Sequence, residues 1–92
     1  MIKPENMETG SSYTCSFVIE SIPMDEYGRP GGMLNLADVP ISKIGNYKST
    51  GTIVSRDSSS ELLEVLDDRN GKKKWVVPFN NVTGIMPSWM NF

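Results

Sequence analysis

Phe79, Asn80 and Asn81 form a short run whose side chains are suited to binding a nucleobase. A phenylalanine ring offers a flat face on which a base can stack, worth about 1 to 3 kcal/mol per base. The neighbouring amides can both donate hydrogen bonds to base edges and accept them. The run therefore indicates a base-binding pocket. The alternative is that Phe79 anchors the core just before a turn.

A second candidate for nucleic-acid contact is a run of three lysines followed by a tryptophan: Lys72, Lys73, Lys74 and Trp75. Cations beside an aromatic ring are typical of surfaces that hold phosphates and stacked bases. A charged turn that keeps an edge strand from aggregating fits the same pattern, because two aspartates precede the lysines and partly cancel their field. The apolar strand that follows favours a core or subunit contact for Trp75.

Carboxylates offer a third chemistry, because a pair of them could hold a magnesium ion for phosphodiester cleavage. Six of them are candidates, in loops or near the ends of predicted strands: Asp25, Glu26, Asp38, Asp57, Asp67 and Asp68. Their spacing fixes no geometry, and solvated turn caps are the simpler interpretation. The chain has no histidine and a single cysteine, Cys15, which excludes common zinc sites and Ser-His or Cys-His nucleophiles within one chain. We therefore expect no catalytic residue, metal or cofactor.

Length and charge limit the classes of protein further. Ninety-two residues fit one small domain, whose limited core makes association between subunits a common remedy. The net charge of -2 provides no general attraction to nucleic acid or anionic membrane. No stretch approaches the roughly 20 apolar residues of a membrane helix, and the first residues lack the apolar core of a signal peptide. These features, with the lone cysteine, lead us to expect a cytoplasmic protein without membrane contact.

The elements that position these residues are predicted to be short strands, at 13–22, 49–57, 61–68, 72–77 and 82–86. Alternation is clearest in the first, where Tyr13, Cys15, Phe17 and Ile19 share one side, so Cys15 is expected to be a small buried hydrophobe. Five strands with tight turns and no substantial helix predict a mostly β fold, a small bent-sheet barrel over 13–87. Residues 1–12 are predicted to be a flexible arm, 23–47 a loop insertion with one weak helical turn, and 88–92 a tail.

Two local signals set the strand ends in the second half. The pair Asn70-Gly71 favours a type I′ turn, which requires positive φ at both central residues and would join the third and fourth strands as a hairpin. Pro78 lacks a backbone donor, so the sheet is expected to bend or end there.

The second half resembles the Sm-like (LSm) proteins, which include the bacterial Hfq RNA chaperones. Gly51, followed by Asp57 at the next loop, resembles the first motif of that family. The run from Asn80 to Ile85 resembles the second motif. The chain departs from the family in the segment 23–47, and it has Phe79 and Asn80 where the family has a basic or histidine residue. Its many small polar residues are also similar to those of small marine phage proteins.

The resemblance implies a five-stranded barrel of SH3-like architecture whose fourth and fifth strands pair across subunits, giving a closed homo-oligomeric ring. Single-stranded RNA, possibly DNA, would be held at the pore. Carried over by position, the pore residues would be Asp57, Ser58, Ser59, Phe79, Asn80, Asn81 and Gly84. The alternative function is a protein-interaction or assembly module of a phage with no nucleic-acid ligand, which the acidic balance favours. A magnesium-dependent nuclease is a third.

Overall fold

Five strands form one antiparallel sheet in the computed structural model, which describes residues 2–25, 29–30, 43–71 and 73–89. The strands are β1 (Tyr13–Pro23), β2 (Ile44–Asp57), β3 (Leu62–Asp67), β4 (Lys74–Pro78) and β5 (Val82–Pro87). Short 3-10 helices cover Pro4–Asn6 and Phe79–Asn81. The mostly β, five-stranded prediction is confirmed, whereas the weak helical turn predicted before Pro40 lies outside the described residues.

The sheet has the order β4-β3-β2-β1-β5 and is open, with β4 and β5 at its edges within the described residues. The sheet is nevertheless curled. The evidence is that β1 and β4 contact each other although β2 and β3 lie between them in the strand order. β1 pairs with β2 on one side and with β5 on the other.

The core lies on the inner face of this curled sheet. Alternation along β1 buries Tyr13, Cys15 and Phe17, and β3 adds Leu63 and Val65 by the same period of two. Val77, Ile85 and Tyr47 complete the cluster from the other strands. Cys15 is fully buried, as predicted, and burial raises the pKa of its thiol to about 12, which leaves it protonated and inert.

β2 begins at Ile44, earlier than the sequence indicates, because its first residues pair with the end of β1 through Pro23↔Ile44. The sequence pattern does not predict a strand at Gly45 and Asn46, because glycine and asparagine are typical of turns. Asn46 instead stabilises an irregularity in β1, where its Oδ1 accepts a hydrogen bond from the N–H of Ser21, a residue with φ of 57°.

The turn between β3 and β4 differs from the predicted type I′ turn. The N–H of Lys73 donates to the carbonyl of Asn70 at 3.2 Å, which makes Gly71 the first central residue, with φ of 58°, rather than the second. Asn70 does not have positive φ. The N–H of Arg69, just before this turn, donates to the Asp67 carboxylate. The antiparallel pairing predicted for the hairpin is confirmed, and β4 ends at Pro78.

Asp67 is the one charged side chain that is buried in the described residues, with 1% of its surface exposed. Its carboxylate accepts hydrogen bonds from Tyr47 Oη (2.6 Å), Ser49 Oγ (2.5 Å), Trp75 Nε1 (2.9 Å) and the N–H of Arg69 (2.9 Å). We call these five residues the Asp67 cluster. Burial by itself raises the pKa of Asp67, but the hydrogen bonds from Ser49, Tyr47 and Trp75 outweigh it and hold the pKa below its usual value.

Gly51 marks the closest approach of β2 to β3. A Cβ built on it would overlap the carbonyl oxygen of Leu66 and lie 2.7 Å from Val65 Cγ1. The absence of a side chain therefore lets the two strands pass close together where the sheet curls.

The segment before β1 contacts the sheet at several points. Ile2 and Met7 pack against the core, and Arg56 Nη1 donates to the carbonyls of Pro4 and Met7, both at 3.0 Å. After β5, Trp89 is 82% exposed. None of the described helices is long and apolar enough to cross a membrane.

Replacing Asp67 with Asn is expected to destabilise the fold by about 3 kcal/mol, because a neutral amide cannot accept the four donors that the carboxylate accepts. Urea unfolding of Asp67→Asn measures this, with Asp68→Asn, an exposed neighbour, as the matched control.

The contribution of Asp67 to stability should also depend on pH, because the pKa of its carboxyl is lower in the folded protein than in the unfolded chain. The ionised carboxylate stabilises the fold fully above the unfolded pKa of about 3.9, and this stabilisation is lost as pH falls through the folded pKa. The gap between wild type and Asp67→Asn should therefore narrow below about pH 4. A constant gap down to pH 2 would contradict the assignment.

Gly51→Ala is expected to lower stability sharply or prevent folding, because the new methyl group meets the rigid backbone of β3. Gly45→Ala in the same strand is the control, since its Cβ would meet only the flexible side chain of Met24, at 3.3 Å from Cγ. Thermal unfolding followed by circular dichroism compares the two. Equal melting temperatures would show that β2 and β3 can separate without penalty.

Candidate nucleic-acid interface

The two loops that the sequence predicts to bind RNA lie side by side. Residues 58–61 join β2 to β3, and Phe79–Asn81 joins β4 to β5. Leu62 pairs with Pro78, so the start of β3 and the end of β4 lie together. The N–H of Phe79 donates to the carbonyl of Glu61 at 2.9 Å, which fastens one loop to the other.

An open cleft of about 350 Å³ lies between these loops. Its lining residues come from three parts of the chain: Glu5, Ser58, Glu61, Phe79 and Asn80. Phe79 is half-buried and packs against the core as well as lining the cleft, and Asn80 is exposed. The cleft thus combines an aromatic ring with hydroxyl, amide and carboxylate groups.

Asp57 and Ser59 maintain the first loop. Asp57 Oδ1 accepts from the N–H of Ser59 (3.1 Å), from Ser59 Oγ (2.7 Å) and from the N–H of Ser60 (3.2 Å). These bonds, that from the Ser59 hydroxyl above all, hold the pKa of Asp57 below its usual value. Of the three predicted residues in this loop, only Ser58 lines the cleft.

Asn81 and Gly84 are separate from the cleft lining. Asn81 Nδ2 donates to the carbonyl of Val18 at 3.1 Å, which ties the second loop to β1. Gly84 lies within β5 opposite Ser16. Asn81 therefore positions the loop that carries Phe79 and Asn80.

Two of the three predicted lysines, Lys73 and Lys74, lie at the other end of the β3–β4 hairpin. Lys74 pairs with Leu66, four positions along β4 from Pro78 and hence roughly 13 Å away at about 3.3 Å per residue. Lys74 Nζ forms an ion pair with Glu64 Oε2 at 3.1 Å, and Lys73 Nζ lies 4.7 Å from the centre of the Trp75 ring. Hydrogen bonds from Ser55 and then Lys74 lower the pKa of Glu64. Lys72 is outside the described residues.

The carboxylates considered for a magnesium site do not come together where they can be located. The described part of the chain contains no group of three or more acidic or cysteine side chains arranged to hold a metal ion. The Asp67 carboxylate accepts hydrogen bonds within the Asp67 cluster, and the Asp57 carboxylate accepts them from its own loop. Asp25 accepts from the N–H of Arg29, while Glu26 and Asp38 lie outside the described residues.

Sequence reasoning missed Glu5 and Glu61 as lining residues. Glu61 follows the predicted serine loop directly, so its place in the chain carried a signal. It has φ of 55°, an uncommon conformation for a residue with a side chain, imposed by the tight loop. Glu5 gave no local signal, because the arm is positioned by Arg56, 52 positions away from Pro4.

No family model, curated protein or solved structure matched this chain in the three comparisons. The functional argument therefore depends on the cleft itself.

Asp57→Ala is expected to loosen the first loop, because the N–H groups of Ser59 and Ser60 lose their acceptor. Amide hydrogen exchange at these two residues should become faster, while exchange in β1 should not change. Asp57→Asn is the matched control, since an asparagine oxygen can still accept in such a turn. Unchanged exchange at Ser59 and Ser60 in Asp57→Ala would contradict the role given to this carboxylate.

Proposed function

We propose that this protein binds single-stranded nucleic acid, RNA or possibly DNA, through the cleft formed by Ser58, Phe79 and Asn80. The observation that carries the proposal is that Ser58, Phe79 and Asn80, predicted as binding residues from two separate motifs, line the same cleft. Phe79 would stack on a base, while the Asn80 amide and the Ser58 hydroxyl would contact base edges. The function is retention without chemistry.

We further propose an Sm-like homo-oligomeric ring in which β4 of one subunit pairs with β5 of the next. The strand order supports this, because β4 and β5 are the two edges of the described sheet. The N–H of Asp67 bonds to Lys73 and that of Phe79 to Glu61, so Lys74 and Val76 direct their backbone groups away from β3. On β5, the bond from the N–H of Ser88 to the carbonyl of Ser12 implies that the backbone N–H and C=O of Ile85 are directed away from β1, although its side chain is in the core.

Prolines limit both edges in a consistent manner. Pro78 and Pro87 occupy outward-facing positions, where a missing N–H breaks no bond to the neighbouring strand. Each edge therefore offers a short stretch of donors and acceptors that a proline ends. Short complementary edges suit pairing with one partner strand rather than indefinite aggregation.

The second candidate is a protein-interaction module of a phage. It is favoured by exposed apolar side chains, notably Val76 at 59% on the β4 edge and Trp89 at 82% beyond β5. In that case the strand edges would bind another protein, and the cleft would have no nucleic-acid ligand.

Light scattering after size exclusion, with and without labelled single-stranded oligo-U or oligo-A, tests the first proposal. We expect a mass of several chains that increases when oligonucleotide is added, with affinity that falls as salt rises. Asn80→Ala and Phe79→Leu are expected to weaken binding roughly tenfold without changing the protein mass, because each alters one base contact and Leu keeps the packing of residue 79.

Asn70→Ala is the matched control, since it removes the same amide at the opposite end of the hairpin. Wild-type affinity in both cleft variants would show that RNA binds elsewhere. A monomer that binds no oligonucleotide would reject ring and function together and favour the protein-interaction module.

A further inference from the structure

The cleft has a charge that a general RNA-binding site would not need. Two of its five lining residues are glutamates, Glu5 and Glu61, and none of the five is a cation. Carboxylates repel phosphates, so their presence is unfavourable for binding a nucleic-acid backbone. The same carboxylates are favourable for a ligand group that presents hydrogen-bond donors.

Both glutamates are held in place by contacts of their own backbone segments. Glu5 lies in the first 3-10 helix, which Arg56 anchors on both sides through the carbonyls of Pro4 and Met7. The N–H of Glu8 adds a bond to Tyr13 Oη at 2.9 Å. Glu61 is fixed by its bond to the N–H of Phe79. The backbone at both glutamates is thus fixed, and their exposed side chains border the cleft.

The hydrogen-bonding capacity of the cleft is dominated by acceptors. An ionised carboxylate only accepts, with two oxygens, whereas the Ser58 hydroxyl and the Asn80 amide can do either. A ligand that stacks on Phe79 and reaches these groups must therefore present donors at its edge. Two neighbouring donors are the best match for one carboxylate, because both oxygens then bind in parallel.

The four bases differ in this respect. Guanine presents N1–H and N2–H₂ side by side on its Watson–Crick edge. Adenine and cytosine present one amino group beside a ring acceptor, and uracil presents one N–H between two carbonyls. Only guanine offers the paired donors that a carboxylate accepts.

We infer that the cleft selects guanine, with Glu61 or Glu5 accepting from N1–H and N2–H₂ while Phe79 stacks on the ring. This inference rests on the proposed nucleic-acid function and adds the base that the site prefers. The specific contact compensates for the repulsion between the carboxylates and the phosphates. Base-specific contacts of this two-bond kind discriminate by roughly tenfold or more.

Fluorescence anisotropy with four labelled seven-nucleotide RNAs tests the inference. Each RNA is oligo-U with G, A, C or U at the central position. We expect the G oligonucleotide to bind roughly tenfold more tightly than the U oligonucleotide. The measured quantity is the ratio of their dissociation constants, because that ratio cancels any effect of protein charge on the common phosphates.

Glu61→Gln and Glu5→Gln are the informative variants, since each replaces one carboxylate by a group of equal size. Loss of the G-to-U ratio in one of them identifies the accepting residue. Glu20→Gln, at an exposed position of β1, makes the same charge change outside the cleft and should leave the ratio as in wild type. If the ratio survives both Glu61→Gln and Glu5→Gln, guanine is not read by these carboxylates.

The remaining outcomes separate the inference from the function on which it rests. Equal binding of all four RNAs, sensitive to Phe79→Leu, would overturn guanine selection and leave the proposed function standing. Binding of none of them would overturn both. In that case an arginine-containing peptide that binds wild type but not Glu61→Gln would assign the cleft to a cationic side chain of a protein partner.

Discussion

The buried carboxylate of Asp67 is the interaction on which the arrangement of three strands depends. It lies at the end of β3 and accepts hydrogen bonds from two residues of β2 and from Trp75 of β4. A buried charge is tolerated only when its hydrogen-bonding capacity is used, so these strands must keep their register to supply the donors. The aromatic rings of Tyr47 and Trp75, 5.8 Å apart, pack around the same point. The cluster thereby adds directional constraints to a small apolar core that has few of its own.

The register of β3 and β4 near Asp67 determines which residues are adjacent at the other end of the hairpin. Because the two strands are antiparallel and paired continuously, the same register places Leu62 opposite Pro78. The loops on either side of these two residues must then adjoin, and the bond from Phe79 to Glu61 completes the contact. The cleft is a consequence of strand register, which is why residues from two distant motifs share it. By the same geometry, Lys73 and Lys74 lie at the opposite end of the hairpin.

Much of this fold could be predicted from local patterns, because strand alternation and turn residues act over short distances. The alternation of Tyr13, Cys15 and Phe17 identified the buried face of β1 correctly. In β3, Asp67 lies on the same buried face as Leu63 and Val65. From the sequence alone, a carboxylate just before a turn is interpreted as solvated unless its hydrogen-bond donors are known. Those donors come from β2 and β4, so the burial of Asp67 is a tertiary fact. The position of Glu5 was beyond sequence reasoning for the same reason, since it depends on Arg56.

The pairing of β1 with β5 has a consequence for how the chain folds. Tyr13 lies opposite Pro87, so the first strand and the last are separated by most of the chain. Closing so long a loop carries an entropic penalty before any contact forms, and topologies of this kind fold in milliseconds to seconds rather than microseconds. During synthesis, the backbone groups on one edge of β1 remain unpaired until β5 has been made. The unpaired edge of β1 and its apolar side chains are therefore exposed to premature association until β5 has been synthesised.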